Sequence, residues 1–238
     1  MKADESVRVN RNSIRLVRCG LLWGSGLLLT VMLGAGAARA AADWEEVERA
    51  RDRSTSYVLS RRPAEREGTW VYRIVTTLDE APETVSQAAI LILTDDRYVP
   101  AGQRRTTLRA NDREVLNHLH IEMPLVTDRD VTTRVVIDGA GADRINGLHW
   151  QSVDGQGPAP RSDVVRIPWL RGSFAFASAG SDGTEVVYEM EVDLGGRLPA
   201  ALVRSFMPSQ MKAQIRTLRG ALADLRAGEL RERRTNQS

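Results

Sequence analysis

The sequence predicts an α+β fold in which a mostly antiparallel sheet lies against one long C-terminal helix. Two observations carry this. Between residues 104 and 193 the apolar positions recur with period two, broken repeatedly by turn residues. After residue 198 the period becomes helical: Met211, Ile215, Leu218, Leu222 and Leu225 step by four, three, four and three. That spacing gathers them on one side of a helix and leaves Lys212, Gln214, Arg216 and Arg219 largely outside the stripe. A long amphipathic helix that follows a run of strands has to bury its apolar side on the sheet they form.

In chain order, residues 1–18 are polar and basic (Lys2, Arg8, Arg11, Arg15, Arg18), residues 19–37 form an apolar run, and Ala38-Arg39-Ala40 closes it. A positive start, an apolar middle and a small-x-small end mark a secretory signal peptide. Export to a periplasm with cleavage after Ala40 is therefore expected. The alternative is an uncleaved anchor, because the run approaches the ~20 residues a membrane span needs. Cys19 stands at the front of the run, the wrong end for lipid attachment. The expected organisation is a leader at 1–40, one domain at 41–230 and a disordered polar tail at 231–238.

Removing the leader changes the charge. The whole chain holds 33 basic and 31 acidic side chains, net +2. Residues 1–40 contain six of the basic ones (Lys2, Arg8, Arg11, Arg15, Arg18, Arg39) and two of the acidic ones (Asp4, Glu5). The remainder thus holds 27 against 29, net −2. The basic pI belongs to the leader, and there is no electrostatic case for nucleic acid. Cys19 is the single cysteine, so beyond residue 40 there is neither a disulfide framework nor thiol chemistry. About 200 residues remain, one domain of a size that can enclose a core or a cavity.

Residues 43–53 put acids early (Asp43, Glu45, Glu46) and arginines late (Arg49, Arg51, Arg53), the order a helix dipole favours. A short helix is expected there, with Trp44 and Val47 on its inner side. Strands are expected at 56–60 and 69–78. Pro82, Glu83 and the apolar set Val85, Ala88, Ala89, Leu91 and Ile92 describe a second helix. Further strands are expected at 104–111, 114–123, 128–137, 142–152, 164–178 and 184–193, joined by Asn111-Asp112, Pro124 and glycine-bearing turns. In the last strand Val186, Tyr188, Met190 and Val192 face one way and Glu185, Glu189 and Glu191 the other, the pattern of a half-buried antiparallel strand. Gly195-Gly196 frees the chain to turn into the long helix. There Leu198, Leu202 and Phe206 form a first stripe before Pro208, whose missing N–H should kink the helix or begin its second half.

Three stretches resemble START lipid-binding domains, within the helix-grip (SRPBCC) superfamily that includes polyketide cyclases and plant pollen allergens. MPLVTDRDVTTRVVI at 123–137 resembles their proline and the arginine-aspartate at a strand start. VRIPWLRGSFAF at 165–176 resembles their long strand. TEVVYEMEVDLGGRLPAALVRSF at 184–206 resembles the final strand, the Asp-x-Gly-Gly-x-Leu-Pro turn and the start of the gripping helix. The order of elements matches over residues 43–225. Many START domains carry a tryptophan after the first long helix, where this chain reads Asp96-Arg97-Tyr98-Val99-Pro100.

The resemblance implies a curved antiparallel sheet wrapped around the C-terminal helix, with an internal apolar cavity. It further implies a monomeric carrier of a lipid or other hydrophobic small molecule, without cofactor or metal, in transient contact with a membrane. Burying one lipid chain supplies roughly 0.8 kcal/mol per methylene, so no catalytic group is required. Residues expected at the cavity are Leu119, Ile121, Met123, Val131, Tyr188, Met190, Leu202, Phe206 and Met211 as wall, and Arg134 as holder of a headgroup or carboxylate. Ligand entry would require motion of the helix or of the loops at 154–160 and 180–183.

Two other functions fit the same fold. A cyclase-like enzyme would need an acid or base inside the cavity, for which Arg134, Asp130 and His120 are the available suppliers. An adaptor would fill the cavity with side chains. His118 and His120 share a strand face with Glu122, but alternate with Leu119, Ile121 and Met123, the more convincing interior face. Asp128, Arg129 and Asp130 read as an ion-paired strand entrance. No serine, histidine and aspartate order with a nucleophile elbow occurs.

Overall fold

The structure is a computed structural model that describes residues 44–51, 56–139, 147–181, 183–198 and 200–235; the expected leader and residues 236–238 lie outside the described residues. The elements are β1 (Glu45–Ala50), β2 (Tyr57–Pro63), β3 (Trp70–Leu78), α1 (Pro82–Thr94), β4 (Gln103–Ala110), β5 (Glu114–Ile121), β6 (Arg129–Asp138), β7 (Gly147–Ser152), β8 (Val165–Arg166), β9 (Trp169–Ala179), β10 (Gly183–Asp193) and α2 (Ala200–Thr235). One sheet runs in the order β1-β2-β3-β10-β9-β7-β6-β5-β4, with antiparallel neighbours. The short β8 pairs in parallel with the start of β6.

Alternation decides which face each side chain takes. Tyr72, Ile74, Val131, Val135, Leu148, Phe174, Val186 and Tyr188 form the inner face, buried with Met211, Ile215, Leu218 and Leu222 of α2. This is the stripe read from the helical spacing, and α2 lies on the sheet through it. Helix α1 buries Val85, Ala88, Ala89 and Ile92. Its last carbonyls, which no helical N–H can reach, are met from the sheet: Asn117 Nδ2 donates to Leu93 at 2.9 Å and Arg105 Nη1 to Ile92 at 3.0 Å.

The N-terminal helix expected at 43–53 is a strand instead. Two of its acids, Glu45 and Glu48, have cross-strand and cross-layer partners that a helix would forfeit. Glu45 accepts two hydrogen bonds from Arg61, at 2.8 and 2.9 Å, and Glu48 accepts from Lys212 at 2.8 Å and from the Tyr57 hydroxyl. Val47, expected inside, sits at a bulge in β1 and is 39% exposed. Trp44 packs under the guanidinium of Arg73, 3.8 Å from the ring centroid. The expected strand at 164–178 is broken at Ile167-Pro168 into β8 and β9. Helix α2 runs through Pro208 and reaches Thr235, into the stretch expected to be a disordered tail.

The turn from β10 into α2 is held by a buried cation. Gly195 and Gly196 take φ of 66° and 67°, which L side chains rarely adopt. Arg129, only 2% exposed, donates Nε to the Leu194 carbonyl at 3.3 Å and Nη2 to the Gly195 carbonyl at 3.2 Å, and Nη1 to Thr127. Burial pulls its guanidinium below the usual value. The Arg-Asp at the start of β6 is thus split between roles, Arg129 clamping this turn and Asp130 facing outward.

Candidate functional site

Where the first turns of α2 cross the sheet, side chains leave a space of about 110 Å³. The sheet supplies Ile121 at the end of β5, Gln103 at the start of β4, Leu170, and the alternating Tyr188, Met190 and Val192 of β10; Ile167 and Leu194 flank them. The helix supplies Phe206, Met207, Gln210, Met211 and Gln214. Across the rim Gln103 Nε2 donates to Gln210 Oε1 at 3.1 Å, tying edge strand β4 to α2.

The floor is aromatic. Tyr188 stacks on Phe174 with centroids 4.6 Å apart, and Trp150 packs on both, at 5.6 Å from Phe174 and 6.1 Å from Tyr188. Gly172 makes room for Trp150, because a Cβ there would lie 2.5 Å from its Cε2 and Cζ2. Burial pushes the Tyr188 phenol far above its ordinary range, so it stays a neutral donor, and its hydroxyl has no hydrogen-bond partner among the described residues. It is a polar handle on an otherwise apolar floor.

Of the residues expected at the cavity, the structure brings together Ile121, Tyr188, Met190, Phe206 and Met211. Met123 and Val131 are buried in the core, and Leu119 and Leu202 are half-buried; none of these four lines the space. Arg134 is on the outer face, donating to Gln156 Oε1 at 3.2 Å, with Glu114 at 3.9 Å. Val131 and Arg134 are three apart on one strand, so they cannot share a face, and the apolar row turned inward. Ile167, Leu170, Val192, Leu194, Met207 and the three glutamines were missed. Val192 was legible from its parity with Tyr188 and Met190, whereas the glutamines carry no local signal.

The acid–base candidates also face outward. Asp130 accepts two hydrogen bonds from Arg166, at 2.7 and 2.9 Å, which hold its carboxyl below the usual range. His118 Nδ1 lies 3.1 Å from Thr132 Oγ1, and His120 Nε2 lies 3.0 Å from Asp128 Oδ2. Among the described residues no group of three His, Cys, Asp or Glu could hold a metal ion. The loops expected at the entrance are elsewhere. The segment around 153–166 is bonded to β6 on the outer face, through Val153 N to Thr132 O at 2.9 Å and Arg166 Nε to Asp130 Oδ1 at 2.7 Å. The β9–β10 hairpin is at the other end of β10 from Val192. Beyond β5, on the pocket side, the turn toward β6 exposes Leu125 completely at φ 67°, a left-handed backbone uncommon for leucine.

No family model matches the chain. It is 27% identical over 150 residues to an uncharacterised protein of Pseudomonas aeruginosa, covering 63% of this chain and 72% of that one. Among solved structures, a STAR-related lipid transfer protein fragment from Xanthomonas axonopodis superposes with a TM-score of 0.61 at 23% identity, over 76% of this chain and 98% of its own. Human StAR-related lipid transfer protein 5 superposes with a TM-score of 0.62 at 20% identity, over 79% and 90%. The chain has the START helix-grip fold. In START terms, α2 is the gripping helix, and the 110 Å³ space lies between it and the sheet it grips.

Proposed function

We propose that the protein is an exported carrier of a lipid or other hydrophobic small molecule, held between α2 and the inner face of the sheet. The observation that carries this is the segregation of chemistry across the sheet. Around the space, the inward side chains are apolar or amide with one phenolic hydroxyl, while Asp130, Arg134, His118 and His120 face outward. Such a wall suits an apolar ligand with few polar anchors. The START-fold neighbours are named as lipid transfer proteins, which supports the same reading. Residues 1–40 support export, and the fully exposed Leu125 supports transient contact with a membrane.

At about 110 Å³ the space is smaller than the roughly 300–1,000 Å³ of small-molecule sites. A ligand therefore enters by displacing side chains, and Met190, Met207 and Met211 are the ones best able to yield, being unbranched and polarizable. Pro208 leaves the Arg204 carbonyl without its helical N–H, which weakens α2 next to the pocket. The small volume also favours a second reading, an adaptor whose side chains fill the cavity permanently.

One experiment separates the two. The full chain is expressed, the purified protein is extracted under denaturing conditions, and the extract is analysed by lipid mass spectrometry. The carrier reading expects a stoichiometric apolar molecule that is lost in Met190→Glu and retained in the outer-face variant Arg134→Gln. An extract empty from folded protein, with no binding of added fatty acid or phospholipid, would replace the carrier with the adaptor. N-terminal sequencing of the same preparation tests cleavage after Ala40.

A further inference from the structure

The charge of residues 41–238 is unevenly placed. Helix α2 carries eight basic and three acidic side chains, inside a segment whose balance is 27 to 29. On the flank of α2 that faces β1 and β2, away from the apolar pocket, lies a second concavity of about 270 Å³, lined by Ala50, Tyr57, Lys212, Ile215, Arg216 and Arg219. Among the described residues, three cations and one neighbouring carboxylate, Glu48, meet there. Glu48 is already committed, to Lys212 at 2.8 Å and to the Tyr57 hydroxyl. The phenol is pushed up to about 12 by burial and by Glu48, so it adds no charge.

Among the described residues the two arginines have no carboxylate of their own. Arg219 donates to neutral oxygens, Thr76 Oγ1 at 3.1 Å and the Ser56 carbonyl at 3.4 Å. Arg216 makes no hydrogen bond or ion pair to any described residue. Elsewhere on α2, exposed Arg226 is paired with Glu80 and Arg204 stands in solvent without a carboxylate partner among the described residues. A guanidinium taken partly out of water without a counter-charge, as half-buried Arg219 is, is costly, and an anion beside it recovers that cost through charge-assisted hydrogen bonds. The exposed Arg216, three residues back on the same helix face, is able to reach the same anion. Ile215, fully buried, and the Tyr57 ring give the concavity an apolar back wall.

We propose that this flank of α2 is an anion-binding site, in which Arg216 and Arg219 hold a phosphate group, either free or as the headgroup of an anionic phospholipid. It is a separate site from the apolar pocket and stands whether or not that pocket carries a lipid. Guanidinium forks match phosphate oxygens in pairs, which a lysine pair would not do.

The test uses the full-length protein and two probes. Inorganic phosphate is titrated by calorimetry and by amide chemical shifts, with chloride at equal ionic strength as the control. Vesicles of phosphatidylcholine with and without phosphatidylglycerol are assayed by flotation. Free phosphate binding with shifts confined to residues around 212–219 and 57 assigns a soluble anion. Flotation only with phosphatidylglycerol vesicles assigns a headgroup. In either case Arg216→Gln and Arg219→Gln should each weaken binding about tenfold, the loss expected for one charge-assisted contact. Arg204→Gln, on α2 but outside the concavity, should leave it unchanged. Binding of neither probe, or binding that Arg216→Gln and Arg219→Gln leave intact, overturns the proposal. Arg216 is exposed, so its variant keeps the test readable if Arg219→Gln proves unstable.

Discussion

Gly172→Ala tests the account of the pocket floor most directly. Gly172 pairs with Met190 on one side and Trp150 on the other, in the middle of the sheet. A methyl group added there meets Trp150 Cε2 and Cζ2 at 2.5 Å and Nε1 at 2.7 Å. Carbon atoms prefer separations of about 3.5–4.0 Å, so the indole has to retreat by about 1 Å. It cannot do so freely, because Phe174 and Tyr188 pack against it at centroid distances of 5.6 and 6.1 Å. Overpacking of this kind costs about 1–3 kcal/mol. In a domain of this size, about 2 kcal/mol lowers the melting temperature by roughly 4–8 °C. Gly220→Ala is the control: it lies in α2 with nothing within 4 Å of the added Cβ, and relief of glycine's helix penalty should raise stability by about 1 kcal/mol. Urea and thermal unfolding of both variants make the comparison. If Gly172→Ala is as stable as the parent, the Trp150–Phe174–Tyr188 floor is not packed as described and the account of the pocket floor fails.

Other expectations follow from buried charges. Arg129→Met strips two carbonyls in the β10–α2 turn and that of Thr127 before β6 of their donor and should cost on the order of 3 kcal/mol in urea unfolding, whereas Arg134→Met on the outer face should cost far less. Burial holds the His118 imidazole below its ordinary range, against the opposing pull of Asp130, so the folded protein prefers the neutral ring. Its contribution is complete above the unfolded value of about 6.5 and is lost as pH falls through the lower folded value. Stability measured from pH 7 downward should therefore decline less steeply in His118→Gln than in the parent; parallel curves would contradict this. Asp130, depressed by the Arg166 hydrogen bonds, keeps its contribution until pH drops below about 4, so Asp130→Asn should flatten only the acid end.

Much of the architecture is written in local spacing. The step of four, three, four in Met211, Ile215, Leu218 and Leu222 can only be one face of a helix, and those four side chains are buried against the sheet. The alternation in β10 is equally local, which is why Tyr188 and Met190 were legible as inward residues. Decisions that depend on distant partners were not legible. The charge order of residues 43–53 suits a helix dipole, but Arg61 and Lys212, far along the chain, draw Glu45 and Glu48 into a strand edge. Alternation in β6 shows that Val131 and Arg134 face opposite ways without saying which way is in; the packing of α2 chose the valine. The size of the pocket was beyond local reading altogether, since it is what remains after Trp150, Phe174 and three methionines from different elements have packed. Periodicity thus determined the elements and their apolar faces, because it is a property of neighbours in sequence. Only the tertiary structure decided the inner face, the glutamine rim and the unpaired arginines on α2, because each depends on residues brought together from distant parts of the chain.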